Sequence, residues 1–305
     1  WYIRSPHTTM QTSVSFPDRT IRLLALGDIN LSESMYLRAR TDSGGYDFLR
    51  FMGSIKPVLG AAHIRACEQT IPAGSQQYGY TFGAVKHAPI ALVNNIASLG
   101  CNVADMASPH AFDKGIGPVK ESLSQWRSQS DMLAVVGAHD SAEDQAAIKT
   151  FSVMNTSIAV LSYTTSSLQT ISPEYGVSLF DETLVRTQME AAHAKADFVM
   201  VLMHWGVEGS PYVNAQMEKY AKILADLGAD VVIGHGAHIV QPVQKIKGKV
   251  NHQTVVWYGL GDIVSANADI NALTSCIAVM DIDTTSKRVT SLACVPTYMN
   301  YEWSD

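Results

Sequence analysis

The chain predicts an α/β fold, with a mainly parallel sheet covered by helices on both faces. Three observations carry this. Short runs rich in Val, Ile and Leu alternate with segments that are apolar at helical spacing through most of the 305 residues. The short runs are apolar at almost every position, as strands are when both faces of their sheet are covered. Several of them close on a polar motif, and ligand sites in open α/β sheets lie at the carboxyl ends of strands.

Taken in order, residues 1–20 are polar and read as a loose N-terminal arm or remnant, with residues 21–305 forming one domain. Ile21 to Leu26 is a strand closing on Gly27-Asp28. Residues 46–59 read as a short helical region, and Ala61 to Cys67 as a strand closing on Glu68. The Gly-, Gln- and Tyr-rich stretch 70–87 suggests a surface loop or hairpin. Pro89 to Leu99 is helical and stopped by Gly100. Val103 to Ala107 is a strand, Val119 to Gln129 a helix and Met132 to Val136 a strand. Residues 149–180 hold two strand-like runs and a Ser/Thr-rich loop, and residues 181–195 are helical. Phe198-Val-Met-Val-Leu-Met-His204 and Asp230-Val-Val-Ile-Gly-His235 are the clearest strands, separated by a helix-like segment. Thr254 to Tyr258 and two late runs, near 276–282 and 289–298, complete the pattern.

Composition narrows the function classes. The chain is 47% hydrophobic and 16% charged, which is globular rather than disordered. A net charge of −6 without Lys/Arg runs argues against a nucleic-acid surface. No apolar run reaches the ~18–20 residues of a membrane-spanning helix, and the first 20 residues hold no signal-peptide core. The four cysteines form no Cys-x-x-Cys pair and lie in or beside apolar runs, so they read as buried, reduced thiols.

The candidates for chemistry are Asp28, Glu68, His110, Asp113, His204, Glu208, His235 and His238. A catalytic metal site needs several convergent donors, and imidazoles mixed with carboxylates leave Mn, Zn, Fe, Mg or Ca open. His235-x-x-His238 is the most pointed signal, because Gly234 and Gly236 let the backbone turn sharply and aim both rings inward. His63, His87, His139, His193 and His252 lack strand-end context and receive no role.

These blocks, in order, resemble a known family. Gly27-Asp28, Cys67-Glu68-Gln-Thr, Ser108-Pro-His-Ala-Phe-Asp113-Lys-Gly, His204-Trp-Gly-Val-Glu208 and Gly234-His-Gly-Ala-His-Ile-Val-Gln241 are similar to those of the bacterial capsule-synthesis proteins CapA/PgsA. Tyr258-Gly-Leu-Gly-Asp262 looks like that family's Ser-Leu-Gly-Asn turn. The resemblance covers about residues 21–265. It implies a calcineurin-like metallophosphoesterase fold in four α-β-β-α layers, and a link to poly-γ-glutamate.

The resemblance also implies roles. A first divalent ion takes Asp28, Glu68 and His238; a second shares Glu68 and takes His204 and His235. His110 is the acid–base residue and Asp113 its orienting partner. Trp205 and Glu208 face the substrate, an anionic polymer or peptide-like molecule. The family is anchored outside the cytoplasm, whereas this chain shows no signal or anchor, so a cytoplasmic location stays open. Two departures stand out. The family's Asn-Leu-Glu is Ala66-Cys67-Glu68 here. Its Asn-Asn-His is Ser108-Pro109-His110, so an Asn that ligates the second metal is replaced by a residue with no side-chain donor. That leaves the second position weak, empty or completed by water, and one or two ions per chain.

Three functions follow as expectations. The first is a metal-dependent hydrolase of a phosphoester or of an amide/γ-glutamyl bond. The second is a metal-assisted epimerase acting at a peptide Cα, with His110–Asp113 and His238–Asp28 as its acid–base pairs. The third is a non-catalytic protein of capsule-polymer assembly or export.

Overall fold

The computed structural model describes residues 19–300 apart from 61, 250, 251 and 268. The arm expected over residues 1–20 therefore lies, up to residue 18, outside the described residues, as does the expected strand start at Ala61. Thr20 already belongs to the first strand.

Two six-stranded sheets form the centre. The first runs, edge to edge, Arg288–Tyr298, Thr274–Asp283, Thr20–Ala25, Ile64–Glu68, Val103–Asp105 and Ala134–Val136. The second runs Val243–Lys247, Gln253–Trp257, Val231–His235, Phe198–His204, Thr156–Thr164 and Lys149–Val153. In each sheet four consecutive strands are parallel; the antiparallel pairings lie on one side of the first sheet and at both edges of the second.

The inner faces meet in one apolar layer. Leu23, Ala66 and Met280 from the first sheet join Val160, Met200 and Ile233 from the second. Helices cover both outer faces. Ala91–Ser98 and Ile116–Arg127 pack Leu92, Ile96, Leu123 and Trp126 against Leu24, Cys67 and Ala104. Glu182–His193 and Ala215–Asp226 pack Val185, Met189, Met217 and Leu224 against Leu161, Val201 and Val232. The expected four layers are thus formed. Each strand is apolar on both faces because each face has a cover, which is why Phe198–His204 is buried at all seven positions.

The helices form where sequence patterning and caps agree. Val185, Met189 and Ala192 lie on one face of their helix, and the Asp181 carboxylate accepts from the Thr183 and Leu184 amides at its start. Asn214 caps the next helix by accepting from Met217 N–H at 2.9 Å.

Several expectations need correcting. The stretch 70–87 is neither a plain loop nor a lone hairpin. Thr81–Phe82 and Lys86–Pro89 pair as a hairpin, and Ala73–Gly74 adds to it in parallel. A helix at Glu33–Ala39, capped by Ser32, was not foreseen. The strand expected over Val103–Ala107 ends at Asp105. The cysteines are paired rather than reduced: Cys67 with Cys101, and Cys276 with Cys294. Cys294 is also exposed. Sequence spacing could not show the pairing, because each bridge joins neighbouring segments of the folded first sheet.

Candidate metal centre

The site collects at the carboxyl ends of strands from both sheets. Asp28 follows the first strand through Gly27. A Cβ on Gly27 would sit 1.9 Å from the Gly261 carbonyl oxygen, so only glycine permits this approach. Asp28 N–H donates to that carbonyl at 2.9 Å, and Asp28–Ile29 pairs in parallel with Asp262–Val264. Glu68 ends its strand directly opposite Asp105. His204 and His235 end adjacent parallel strands in register. Gly236 then turns the chain at φ 95°, and its N–H donates to the Asp28 carboxylate. That turn delivers His238, itself at φ 59°.

Asp28, Glu68, Asp105 and Asp262 are all at most 1% exposed. Desolvation disfavours a buried carboxylate's charge, and neighbouring charges modify that. Burial, then the nearby Asp28 charge, raises Glu68 well above the usual carboxylate range. Burial raises Asp105 to about 6 and Asp262 to about 6. Burial would raise Asp28 too, but its hydrogen bond to His238 and that ring's charge outweigh it and hold Asp28 low. His238 is correspondingly raised: burial opposes its charge, yet its Nδ1–H donates to Asp262 at 2.7 Å and lies 3.2 Å from Asp28. Burial lowers His204 to about 3. Its Nδ1 lies within hydrogen-bond distance of Glu68 Oε1, at 2.5 Å.

The donors fall into three overlapping groups, each with its ligand atoms within 4.8 Å of one another. They are Asp28, His238 and Asp262; Asp28, Glu68 and His204; and Glu68, Asp105 and His235. Buried atoms without hydrogen-bond partners include Asp105 Oδ2, Asp262 Oδ2 and His235 Nδ1. Buried carboxylate oxygens and an imidazole nitrogen left in this state fit a divalent cation. The five residues expected as ligands all lie within these three groups. His204 joins Asp28 and Glu68 rather than His235, and His238 turns to Asp262.

Asp105 and Asp262 were missed. Asp105 follows the strand-end rule once its strand is seen to stop there. Asp262 reaches His238 across 24 residues of chain, a pairing no local pattern announces.

His110 belongs to none of these groups. Its Nδ1–H donates to Asp113 Oδ2 at 2.6 Å, and that oxygen also accepts the Lys86 N–H at 2.6 Å. A cavity of about 190 Å³ is lined by His110, Lys86, His204, Glu208 and His238, among others. Lys86 is largely buried, with its amine donating to Asn30 Oδ1 at 3.1 Å. Glu208 is exposed and places Oε1 3.7 Å from His238 Nε2. Trp205 borders the same cavity but is only 2% exposed. Its indole N–H donates to the Tyr258 carbonyl at 2.8 Å and its ring stacks on Tyr258, so its indole serves packing. A larger open hollow of about 420 Å³, by Arg127, Met132 and Lys149, contains none of the candidate residues.

Two sheets packed face to face, helices outside and a His/carboxylate cluster at the strand ends define the calcineurin-like metallophosphoesterase fold. Solved structures with that fold align along nearly the whole chain. A phosphatase from Mycoplasma pneumoniae aligns at TM-score 0.55 and 9% identity over 93% of this chain and 95% of its own. A Staphylococcus aureus structure described as a 5′-nucleotidase aligns at TM-score 0.56 and 15% identity, over 94% of this chain and 56% of its own.

Within that class, residues 22–267 match the family of the bacterial capsule synthesis protein PGA_cap, and the chain belongs to it. Among relatives, the PGA biosynthesis protein CapA of Bacillus subtilis (strain 168) is 29% identical over 176 residues, 56% of this chain and 44% of that protein. The capsule biosynthesis protein CapA of Bacillus anthracis is 27% identical over 179 residues, 56% of this chain and 42% of that protein. The matched stretch therefore spans less than half the length of either relative. Among the described residues no helix is long and apolar enough to cross a membrane.

Proposed function

We propose that this chain is a metal-dependent hydrolase acting on an anionic substrate of capsule-polymer metabolism, at a phosphoester or a γ-glutamyl amide bond. The observation that carries the reading is the His110–Asp113 pair beside the donor cluster. The Asp113 carboxylate holds the proton on Nδ1 and leaves Nε2 for the cavity that His110 lines. A carboxylate partner fixes an imidazole's tautomer and orientation, which suits a general acid–base residue.

Asp28, Glu68, His204, His235 and His238, together with Asp262, would hold the cation. In such a site a divalent ion supplies polarisation of the bond attacked and acidification of water toward a pKa of about 7. The protein's own groups do the rest. His110 gives a proton to the leaving atom and takes one back. Asp262 orients His238 through Nδ1. The Lys86 amine, on the cavity wall, attracts a negatively charged substrate.

The support for the substrate class is family membership together with the cationic Lys86; the support for hydrolysis is the fold and the His110 pair. The two disulfides fit an oxidising compartment. The test is turnover of p-nitrophenyl phosphate, bis-p-nitrophenyl phosphate and a γ-glutamyl anilide with added Mn2+ or Zn2+. Turnover of any of them that is lost in His110→Ala supports the proposal. No turnover with either metal, alongside metal-dependent retention of poly-γ-glutamate, would replace it with a binding role.

A further inference from the structure

We infer that Asp105 is a metal ligand of this chain, completing with Glu68 and His235 the second cation position that Pro109 leaves short of a donor. The inference rests on the metal-dependent reading above and adds to it a residue and an ion count.

Three features of the fold point to Asp105. The first is register. Asp105 lies opposite Glu68 at the last paired position of two parallel strands, so both carboxylates emerge at the same rim. The second is the way each side chain is spent. Asp105 Oδ1 accepts the Ala107 N–H at 2.9 Å and the Ser162 hydroxyl, while Oδ2 is buried with no partner. Those two bonds fix the carboxylate's orientation and leave one oxygen unused.

The third is the tautomer of His235. Its Nε2 lies 2.9 Å from the Leu26 carbonyl, which can only accept, so Nε2 carries a proton. In the neutral ring Nδ1 then presents a lone pair, and this atom too is buried without a partner. Ligand atoms of Glu68, Asp105 and His235 lie within 4.8 Å of one another. A lone pair and carboxylate oxygens facing each other in a dry site repel unless a proton or a cation lies between them, and the overlapping donor sets of the site favour the cation.

Pro109 has no donor to offer, and its carbonyl accepts the Leu168 N–H at 3.0 Å. Asp105, four residues earlier, reaches the site from the strand end rather than from the loop. The missing ligand is thus supplied from another backbone position.

The test is Mn2+ binding to the full chain after chelator treatment, read as ions per chain and by electron paramagnetic resonance. The wild type should bind two ions with an exchange-coupled spectrum, since both share Glu68. Asp105→Asn keeps the Oδ1 acceptor for Ala107 and Ser162, so its metal-free melting temperature should match the wild type. It should bind one ion, with the second weakened by more than about 100-fold, beyond the 10–100-fold typical of outer-shell partners. Adding Pro109→Asn to Asp105→Asn should restore the second ion. Two ions in Asp105→Asn overturn the inference, as does a single ion bound equally by wild type and variant; both outcomes leave the metal-dependent reading standing. Two equivalents bound without coupling in the wild type overturn it without any variant. No Mn2+ bound by the wild type overturns both readings together.

Discussion

Glu68 and Asp105 face each other across two parallel strands, paired in register and both fully buried. Adjacent buried carboxylates repel and are poorly solvated, so one of them must bind a proton or both must share a cation. Where Asp28 meets Asp262, the His238 ring lies against both carboxylates and relieves their repulsion. The centre of this fold therefore combines order with electrostatic strain, and several measurements should register it.

Divalent metal should stabilise the protein strongly. A site that forms only in the folded state and binds at 100 times its Kd adds about 2.7 kcal/mol. Thermal unfolding with Mn2+ and with chelator should differ by several degrees, with Mn2+ raising the midpoint. Identical midpoints would show that the cluster holds no ion.

His238→Ala and His110→Ala should separate binding from chemistry. His238 connects Asp28 and Asp262, and its loss should lower metal content at a fixed Mn2+ concentration. His110 touches Asp113 but joins none of the donor groups. Its loss should cost about 10²–10⁴-fold in turnover, the usual range for a general acid–base residue, at unchanged metal content. Metal content equal to the parent in His238→Ala would remove His238 from the ligands.

The bridge between Cys67 and Cys101 ties the segment before Asp105 to the strand that ends in Glu68. Its sequence separation is 34 residues, so a Cys67→Ala/Cys101→Ala variant should lose roughly 3–4 kcal/mol on the loop-entropy model. Denaturant midpoints of the variant and parent decide this. A parent protein whose thiols all react with alkylating reagent when unfolded without reductant would show that the bridge does not form.

Acidification should weaken the fold through His139, outside the centre. Burial lowers this imidazole from 6.5 to about 4, with Asp144 opposing the shift and Lys149 and Arg127 aiding it. Its Nε2 meets the Ser178 hydroxyl at 2.8 Å, and its Nδ1 is buried without a hydrogen-bond partner. The unfolded chain takes up a proton below pH 6.5 that the folded chain refuses until about pH 4. Stability from this group is therefore complete above pH 6.5 and lost as pH falls to about 4, by up to roughly 3 kcal/mol. His139→Gln should unfold with a shallower pH dependence than the parent across that window; parallel stability curves would refute the assignment.

Much of the fold is written locally. Phe198–His204 and Val231–His235 are recognisable because a strand covered on both faces must be apolar throughout. Val185, Met189 and Ala192 reveal their helix because its face repeats every three to four residues. His204, His235 and His238 stand out because strand ends and flanking glycines are features of neighbouring residues. The sequence by itself therefore determined the alternation of strands and helices, the four-layer class through its resemblance, and the choice of five candidate donors that the fold brings together.

The rest depended on residues far apart in the chain. Asp105 looked like a mid-strand residue until the strand stopped beneath it and set it beside Glu68. Asp262 gained its meaning from His238, and the cysteines from strands that only folding makes neighbours. Trp205 borders the cavity, and its indole reaches the Tyr258 carbonyl 53 residues along the chain. Periodicity records what each residue packs against locally. Which candidate donors lie together is set by crossover connections and register, and that was decided only when the two sheets closed on each other.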